Sequence, residues 1–259
     1  MGNMNFENLG LCSEIQKAVK YMGFEEASPI QAKAIPVILE GKDIIGQAQT
    51  GTGKTAAFGI PLLQKVDPKN KKLQGIVLCP TRELAIQVAE EIGKIGRASK
   101  IKALPVYGGQ PIDRQIRALR SGVQIVIGTP GRLIDHINRK TIKLDHIKFL
   151  VLDEADEMLD MGFVDDMEEI MKNLPAERQT LLFSATMPRP ILSLTKKYMK
   201  APKNVTISKE ELTVPLIDQY YFETKDKIEG LCRLLDAEID GKLIIFCRTK
   251  KGVDDLAIA

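Results

Sequence analysis

Asp43-Ile44-Ile45-Gly46-Gln47-Ala48-Gln49-Thr50-Gly51-Thr52-Gly53-Lys54-Thr55 joins a short β-branched apolar run to the start of an amphipathic stretch at 54–63. The run reads as a buried strand, the stretch as a helix, and the segment between them as a turn that only certain residues can make. Gly51 and Gly53 let the backbone turn tightly enough for successive amide hydrogens to point inward. Gln49, Thr50 and Thr52 complete that cradle, and the helix opening near Lys54 adds its positive end. Such a loop suits phosphate oxygens, with Lys54 reaching the β- and γ-phosphates and the Thr55 hydroxyl a ligand for magnesium. Ala48 stands where the general pattern has Gly, a departure that many phosphate loops share. The alternative is a Gly-rich turn met by chance, which the strand-loop-helix context opposes.

Outward from this unit the same alternation continues. Strands are expected at 43–46, 75–79, 101–107, 125–128, 149–152 and 179–184, with helices at 54–63, 82–95, 112–120, 132–138 and 164–172. Near-continuous apolar strands separated by helices predict an α/β fold with a parallel sheet covered on both faces. Ligands in such sheets sit at the carboxyl ends of the strands, where the loops enter helices. A Pro- and polar-rich segment at 199–215 reads as a linker. Beyond it come a strand at 217–223, a helix at 227–236, a strand at 243–247 and an opening helix. The expected organisation is a nucleotide-binding domain over 1–204, then a linker and the start of a second α/β lobe over 205–259.

Phe149-Leu150-Val151-Leu152 is a buried-strand pattern that runs into Asp153-Glu154-Ala155-Asp156. A carboxylate at the end of a strand in the sheet that carries a phosphate loop can hold magnesium, directly or through water. An adjacent carboxylate can orient and deprotonate an attacking water. The competing reading is an acidic helix start, which the phosphate loop makes the weaker of the two. Together these parts describe a site for ATP with Mg2+, poised for hydrolysis, with Lys54, Asp153 and Glu154 at its centre.

Composition sets the limits. The 259 residues are 44% hydrophobic and 27% charged, ample for a globular core. Tryptophan is absent and aromatics make up 5%, which argues against stacking platforms as the main binding strategy. The net charge of +3 permits a local basic groove without demanding one. Cys12, Cys79, Cys232 and Cys247 form no C-x-x-C pair, and His136 and His146 are the only histidines. Zinc is therefore not expected, and reduced thiols point to a cytoplasmic protein. No apolar run approaches the roughly 20 residues of a membrane span, and the start lacks the apolar core of a signal peptide.

Asp153-Glu154-Ala155-Asp156 also spells the motif of the DEAD-box RNA helicases, which the chain resembles over nearly its whole length. Phe6, Gly23-Phe24 and Ser28-Pro29-Ile30-Gln31 are similar to that family's adenine-reading region, although Ala27 stands where the family often has proline. The resemblance implies a RecA-like phosphate-loop NTPase domain, with Gln31 bonding the adenine edge and Phe24 packing on the base. An amide that donates and accepts at once suits adenine. Taken without the resemblance, Gln31 reads as a surface glutamine opening a helix.

Pro80-Thr81-Arg82, Gly108-Gly109 and Thr129-Pro130-Gly131-Arg132 each end an expected strand, and alone they are ordinary loop punctuation. The resemblance implies that they grip an RNA backbone, and their hydroxyls, exposed amides and arginines suit phosphate oxygens rather than bases. It likewise implies that Ser184 and Thr186 bond to the acidic motif through Asp156 and couple ATP to strand separation. A plain Ser/Thr helix cap is compatible with that role.

Leu243-Ile244-Ile245-Phe246-Cys247-Arg248-Thr249 resembles the first motif of the family's second lobe, and the later motifs, with their cross-cleft arginines, do not follow. The expectation is an ATP-dependent RNA helicase lobe, monomeric, with weak nucleotide binding and poor hydrolysis when alone. The alternative is a catalytically silent module that binds ATP and RNA. A small-molecule kinase would need an arginine-bearing lid and an acceptor pocket, for which no segment is apparent.

Overall fold

The computed structural model describes residues 4–207, 220–237 and 241–258. In chain order it forms β1 (Met4–Asn5), a 3-10 turn (Phe6–Leu9), α1 (Ser13–Tyr21), β2 (Glu26–Ala27), α2 (Pro29–Leu39), β3 (Ile44–Gln47) and α3 (Lys54–Lys65). There follow β4 (Gly75–Leu78), α4 (Arg82–Ile95), β5 (Ala103–Val106), α5 (Ile112–Arg120), β6 (Ile125–Gly128) and α6 (Pro130–Asn138). The series continues with β7 (Phe149–Leu152), α7 (Ala155–Asp160), α8 (Val164–Asn173), β8 (Gln179–Ser184), α9 (Arg189–Tyr198) and β9 (Lys203–Thr206). Two helices come last, α10 (Lys227–Asp236) and α11 (Lys250–Ile258).

Seven strands form one parallel sheet in the order β5-β6-β4-β7-β8-β3-β9. Its central strands are buried along their whole length, which is why they read as unbroken apolar runs. Alternate residues supply two separate cores. Val77, Ile125, Val151, Leu181 and Phe183 meet Ile15, Ile35, Phe58 and Ile92 from α1 to α4. Ile76, Val126, Leu150, Leu152 and Leu182 meet Leu133, Met158, Ile170 and Ile191 from α6 to α9. Burying side chains of this size gives roughly 1.5–3 kcal/mol each. Gly46 is required by that packing, because a Cβ there would lie 2.6 Å from the Phe183 ring.

The expected strands and helices of the sheet region are present, with small shifts at their ends. The expected linker departs from this pattern. Its residues 203–206 form β9, which pairs with β3 as the sheet's edge and spans the expected boundary at 204/205. Two compact units are distinguished, Met1–Leu212 and Thr213–Ala259. Residues 208–215 of the linker and 217–219 of the strand expected at 217–223 lie outside the described residues.

Within the second unit α10 forms as expected, capped by Asp226, whose carboxylate accepts from the Ile228 and Glu229 amides at 2.9 and 3.1 Å. The strand expected at 243–247 does not form, nor do residues 220–223 pair as one. Ile244 and Phe246 are 77% and 92% exposed. An apolar run without a neighbouring strand has no ladder to satisfy its amides and carbonyls, whatever its side chains favour.

Candidate functional site

The sheet order sorts the motifs. Loops after β5, β6 and β4 carry Gly108-Gly109, Thr129 to Arg132 and Pro80 to Arg82, on one side of the sheet. Loops after β7, β8 and β3 carry the acidic motif, Ser184 to Thr186 and the glycine-rich loop, on the other. All leave the carboxyl ends of the strands, and the two groups meet at the β4–β7 pair.

The glycine-rich loop is held from outside by α2. Gly51 and Gly53 have φ of +83° and +88°, the left-handed region that side chains resist. A Cβ on Gly53 would lie 2.4 Å from Gln31 Nε2, so a side chain there would also displace the Gln31 amide. Gln31 Nε2 donates to the Gly53 carbonyl at 3.1 Å, and the Ser28 hydroxyl donates to the Thr52 carbonyl at 2.8 Å. The Ser28 amide donates back to Gln31 Oε1 at 2.9 Å, so the same pair is the capping box of α2. Gln31 is thus 7% exposed and no surface glutamine. Its amide retains one hydrogen and one lone pair beyond these bonds. Phe24 is partly buried and stacks on the buried Phe6 with centroids 6.0 Å apart. Within the loop, the Thr52 hydroxyl donates to the Gln49 carbonyl at 2.7 Å.

Across from the loop stands the acidic end of β7. Asp153 is 2% exposed, and burial drives its carboxyl up to about 7, against the pull of Lys54 and with a further push from Glu154. Glu154 caps α7 with φ +53° and accepts from the Thr50 hydroxyl at 3.0 Å. Lys54 Nζ lies 4.0 Å from Glu154 Oε1. Lys54 Nζ and Asp153 Oδ1 are both buried and have no hydrogen-bond partner among the described residues. A buried ammonium and a buried carboxyl group, neither hydrogen-bonded and both beside the glycine-rich loop, fit a group that brings both anionic oxygens and a cation. A magnesium-bound polyphosphate does so, since Mg2+ commonly takes one or two carboxylates plus phosphate oxygens and water.

The third acid, Asp156, serves another purpose. Its Oδ2 accepts from the Thr186 amide at 2.8 Å and the Thr186 hydroxyl at 3.0 Å. Its amide donates to the Ser184 hydroxyl at 3.2 Å. Burial works against its charge, but the bonds from Ser184 and Thr186 outweigh that and hold the carboxyl below its ordinary range. The acidic motif and the segment after β8 are therefore tied by a charge-assisted link. Thr186 is bonded to Asp156 rather than spent on capping α9, whose cap, Pro188, has no side-chain bond.

On the other side of the sheet, Thr81 caps α4, its hydroxyl accepting from the Leu84 amide at 3.2 Å. Exposed Arg82 borders Gly109, whose φ is +87°. Thr129 caps α6 with no bond from its side chain, followed by Pro130 and Gly131. Arg132 Nη2 donates to the Gln110 carbonyl at 3.0 Å, which fastens the Gly108-Gly109 loop to α6.

Three residues beyond the expected set support these loops. Gln115 Nε2 donates to the Tyr107 carbonyl at 3.0 Å, and its Oε1 lies 3.0 Å from His136 Nε2. His136 Nδ1 lies 2.8 Å from the Thr141 hydroxyl. Because the Gln115 oxygen faces Nε2, that nitrogen carries the hydrogen. Burial, and then Arg132, push the His136 pKa down, which keeps the ring neutral. Replacing Gln115 by Leu strands the Tyr107 carbonyl and His136 Nε2, at about 1–3 kcal/mol each. Urea unfolding is expected to show a loss of about 2–6 kcal/mol; a loss under 1 kcal/mol would show that the network contributes little. The third residue is Glu91 of α4, whose carboxyl is raised by burial against the pull of Lys94 and the Thr55 hydroxyl. It adds to the negative field that raises Asp153. A sequence signal existed for it: an acid three residues after buried Val88 and four before buried Ile95.

Comparison with known proteins agrees with this geometry. Residues 28–194 match the family model described as DEAD/DEAH box helicase. The DEAD-box ATP-dependent RNA helicase CshA of Geobacillus kaustophilus is 57% identical over 256 residues, 98% of this chain and 55% of the relative. Its namesake in Bacillus subtilis is 55% identical over 258 residues, 99% of this chain and 52% of the relative. The chain thus spans about half the length of these curated relatives. The crystal structure of a DEAD box protein from the hyperthermophile Methanococcus jannaschii superposes with a TM-score of 0.78 at 44% identity, covering 98% of this chain and 69% of that one. With its phosphate loop, acidic strand end and sheet order, the chain belongs to the DEAD/DEAH box helicase family.

Proposed function

We propose that the chain is the ATP-binding lobe of an ATP-dependent RNA helicase, which hydrolyses ATP with Mg2+ as it remodels RNA. The observation that carries this reading is the division of one sheet end into a phosphate-and-acid side and a hydroxyl-and-arginine side, with the acidic motif bonded to the segment after β8. Lys54 and the amides at 49–55 bind the phosphates, and Thr55 and Asp153 hold the magnesium, which neutralises phosphate charge when bound. Glu154 positions and deprotonates the attacking water. Gln31 and Phe24 read adenine, and Gln31 passes its occupancy to the loop through the Gly53 carbonyl. Ser184, Thr186 and Asp156 couple the two sides.

Thr81, Arg82, Gly109, Thr129 and Arg132, with Pro80, Gly108, Pro130 and Gly131 shaping their loops, hold the RNA backbone without reading bases. The protein works in the cytoplasm as a monomer; its free cysteines support a reducing compartment. Among the described residues no helix is long and apolar enough to cross a membrane.

Among the described residues Lys54 is the cation that meets the acidic motif. Arginines supplied to the γ-phosphate contribute about 1,000- to 100,000-fold in related enzymes. The isolated chain is therefore slow. ATP turnover with and without single-stranded RNA, run beside the full-length Bacillus subtilis relative, tests both parts. RNA-stimulated turnover by the relative and little by this chain is expected. Turnover by the chain at the relative's rate would sink the claim of weak activity alone, and turnover indifferent to RNA in both would sink the RNA coupling.

A further inference from the structure

The amino ends of the strands, remote from the site above, border an open cavity of about 650 Å3. Lys42, Lys65, Lys148, Arg178, Lys200 and Lys203 line it, from five separate places in the chain, against two carboxylates, Asp43 and Glu177. β8 alone runs six residues between the two ends, about 20 Å at ~3.3 Å per residue, so the phosphate loop does not reach it.

The two carboxylates do not balance the cations. Asp43 is 5% exposed and already committed, accepting from the Thr180 amide at 2.8 Å and the Lys200 amide at 2.7 Å. Glu177 is 93% exposed and pairs with Lys200 at 2.9 Å. Lys42 turns to Glu40 outside the cavity. Among the described residues Lys65, Lys148, Arg178 and Lys203 have no ion pair within 4.0 Å, although Asp43 acts on Arg178 and Glu40 on Lys203 at longer range.

Two of these are also partly withdrawn from water. Lys65 Nζ donates to the Ile38 carbonyl at 2.7 Å and Gln179 Oε1 at 3.2 Å and lies 5.9 Å from the Phe149 ring centre, all uncharged partners. Arg178 Nη1 donates to the Pro175 carbonyl at 2.8 Å, while its Nε is buried with no partner. Burial depresses the pKa of both cations. Like charges gathered at a half-buried surface repel one another and raise the free energy of the empty state. Packing of the sheet does not call for a cation at Lys148 or Lys203, whose side chains are exposed.

We propose that this cavity is a second anion site, which takes a small molecule bearing two or more phosphate groups. Arg178 supplies a planar fork suited to phosphate oxygens, and Lys65, Lys148 and Lys203 supply point charges around it. The same phosphate chemistry could be offered by an RNA backbone, and the test separates the two sources. It stands independently of the helicase reading, because no residue of the ATP site takes part.

The test is calorimetric titration of the chain, saturated with ADP to occupy the phosphate loop, with tripolyphosphate in one arm and a single-stranded RNA decamer in the other. Lys148→Glu/Lys203→Glu changes two exposed side chains, and circular dichroism checks its fold. Arg178→Gln is the second variant. Tripolyphosphate binding that weakens at least ten-fold in the double variant and several-fold in Arg178→Gln, with ADP affinity unchanged, is the expected result. The same loss for RNA, with tripolyphosphate inert, would assign the phosphates to RNA and support the site. No binding of either anion, or binding indifferent to both variants, would overturn it.

Discussion

Glu154→Gln is expected to slow ATP hydrolysis by about 100- to 10,000-fold, the range that a positioned general base contributes, and to leave nucleotide affinity within about threefold. The substitution keeps the shape of the side chain and one carbonyl oxygen, so the bond accepted from the Thr50 hydroxyl at 3.0 Å survives. The loss is confined to the charge and the ability to take a proton. Glu154 sits in the left-handed turn that ends β7, with φ +53°, directly after buried Asp153. Lys54 at 4.0 Å faces the same oxygen, and a bound phosphate would compete for that lysine and free the carboxylate toward water. Single-turnover hydrolysis with RNA, in the full-length relative carrying the matching change, reads the chemical step. A fluorescent nucleotide reads affinity on this chain. Hydrolysis within threefold of the wild type would remove Glu154 from the chemistry, and a parallel collapse of affinity would make it a binding residue.

The site was legible where chemistry needs particular residues in sequence order. Gly51, Gly53 and Lys54 follow β3, buried from Ile44 to Gly46, and Asp153 and Glu154 follow β7, buried along its whole length, so the expected loops lie at the expected strand ends. Legibility failed where neighbours rather than local pattern decide. In β9 only Val205 is buried, so the strand carries no alternation, yet backbone bonds of 2.8 Å from the Lys203 amide to Asp43 and 3.0 Å from the Ile207 amide to Gln47 complete the edge. Residues 243–247 are the converse, a strong apolar run left unpaired. Gln115 and His136 read as ordinary helix residues because their meaning lies in each other, 21 positions apart. Gln31 lay between these cases: the resemblance singled it out, and only the fold ties it to Gly53.

Asp153→Asn is expected to stabilise the nucleotide-free, metal-free chain at pH 8, and to do so less and less as the pH falls toward 4. The carboxyl is raised from an ordinary 3.8 to about 7, by burial first, with Lys54 opposing and Glu154 and Glu91 adding. A raised acid binds its proton more tightly in the folded chain than in the unfolded one, so stability declines as pH rises between the two values. Below about 4 both states are protonated and the penalty vanishes; above about 7 it stands in full, on the order of 4 kcal/mol for three pH units. Asparagine has the same shape and nothing to ionise, so the gap between variant and wild type should widen with pH across that window.

Magnesium and nucleotide should reverse the order. A cation beside Asp153 Oδ1, which has no partner otherwise, makes the ionised carboxylate the favoured form. Magnesium-ADP should then raise the melting temperature of the wild type more than that of the variant, most clearly at pH 8. Melting curves from pH 4.5 to 8.5, in chelator and then with magnesium-ADP, supply both comparisons. A pH-independent gap between the proteins would mean that Asp153 stays ionised through burial. Equal stabilisation by magnesium-ADP would mean that the ion is held elsewhere. Both outcomes as expected would show one carboxylate placed at a cost to the empty lobe so that it meets the metal without having to be moved or desolvated on binding.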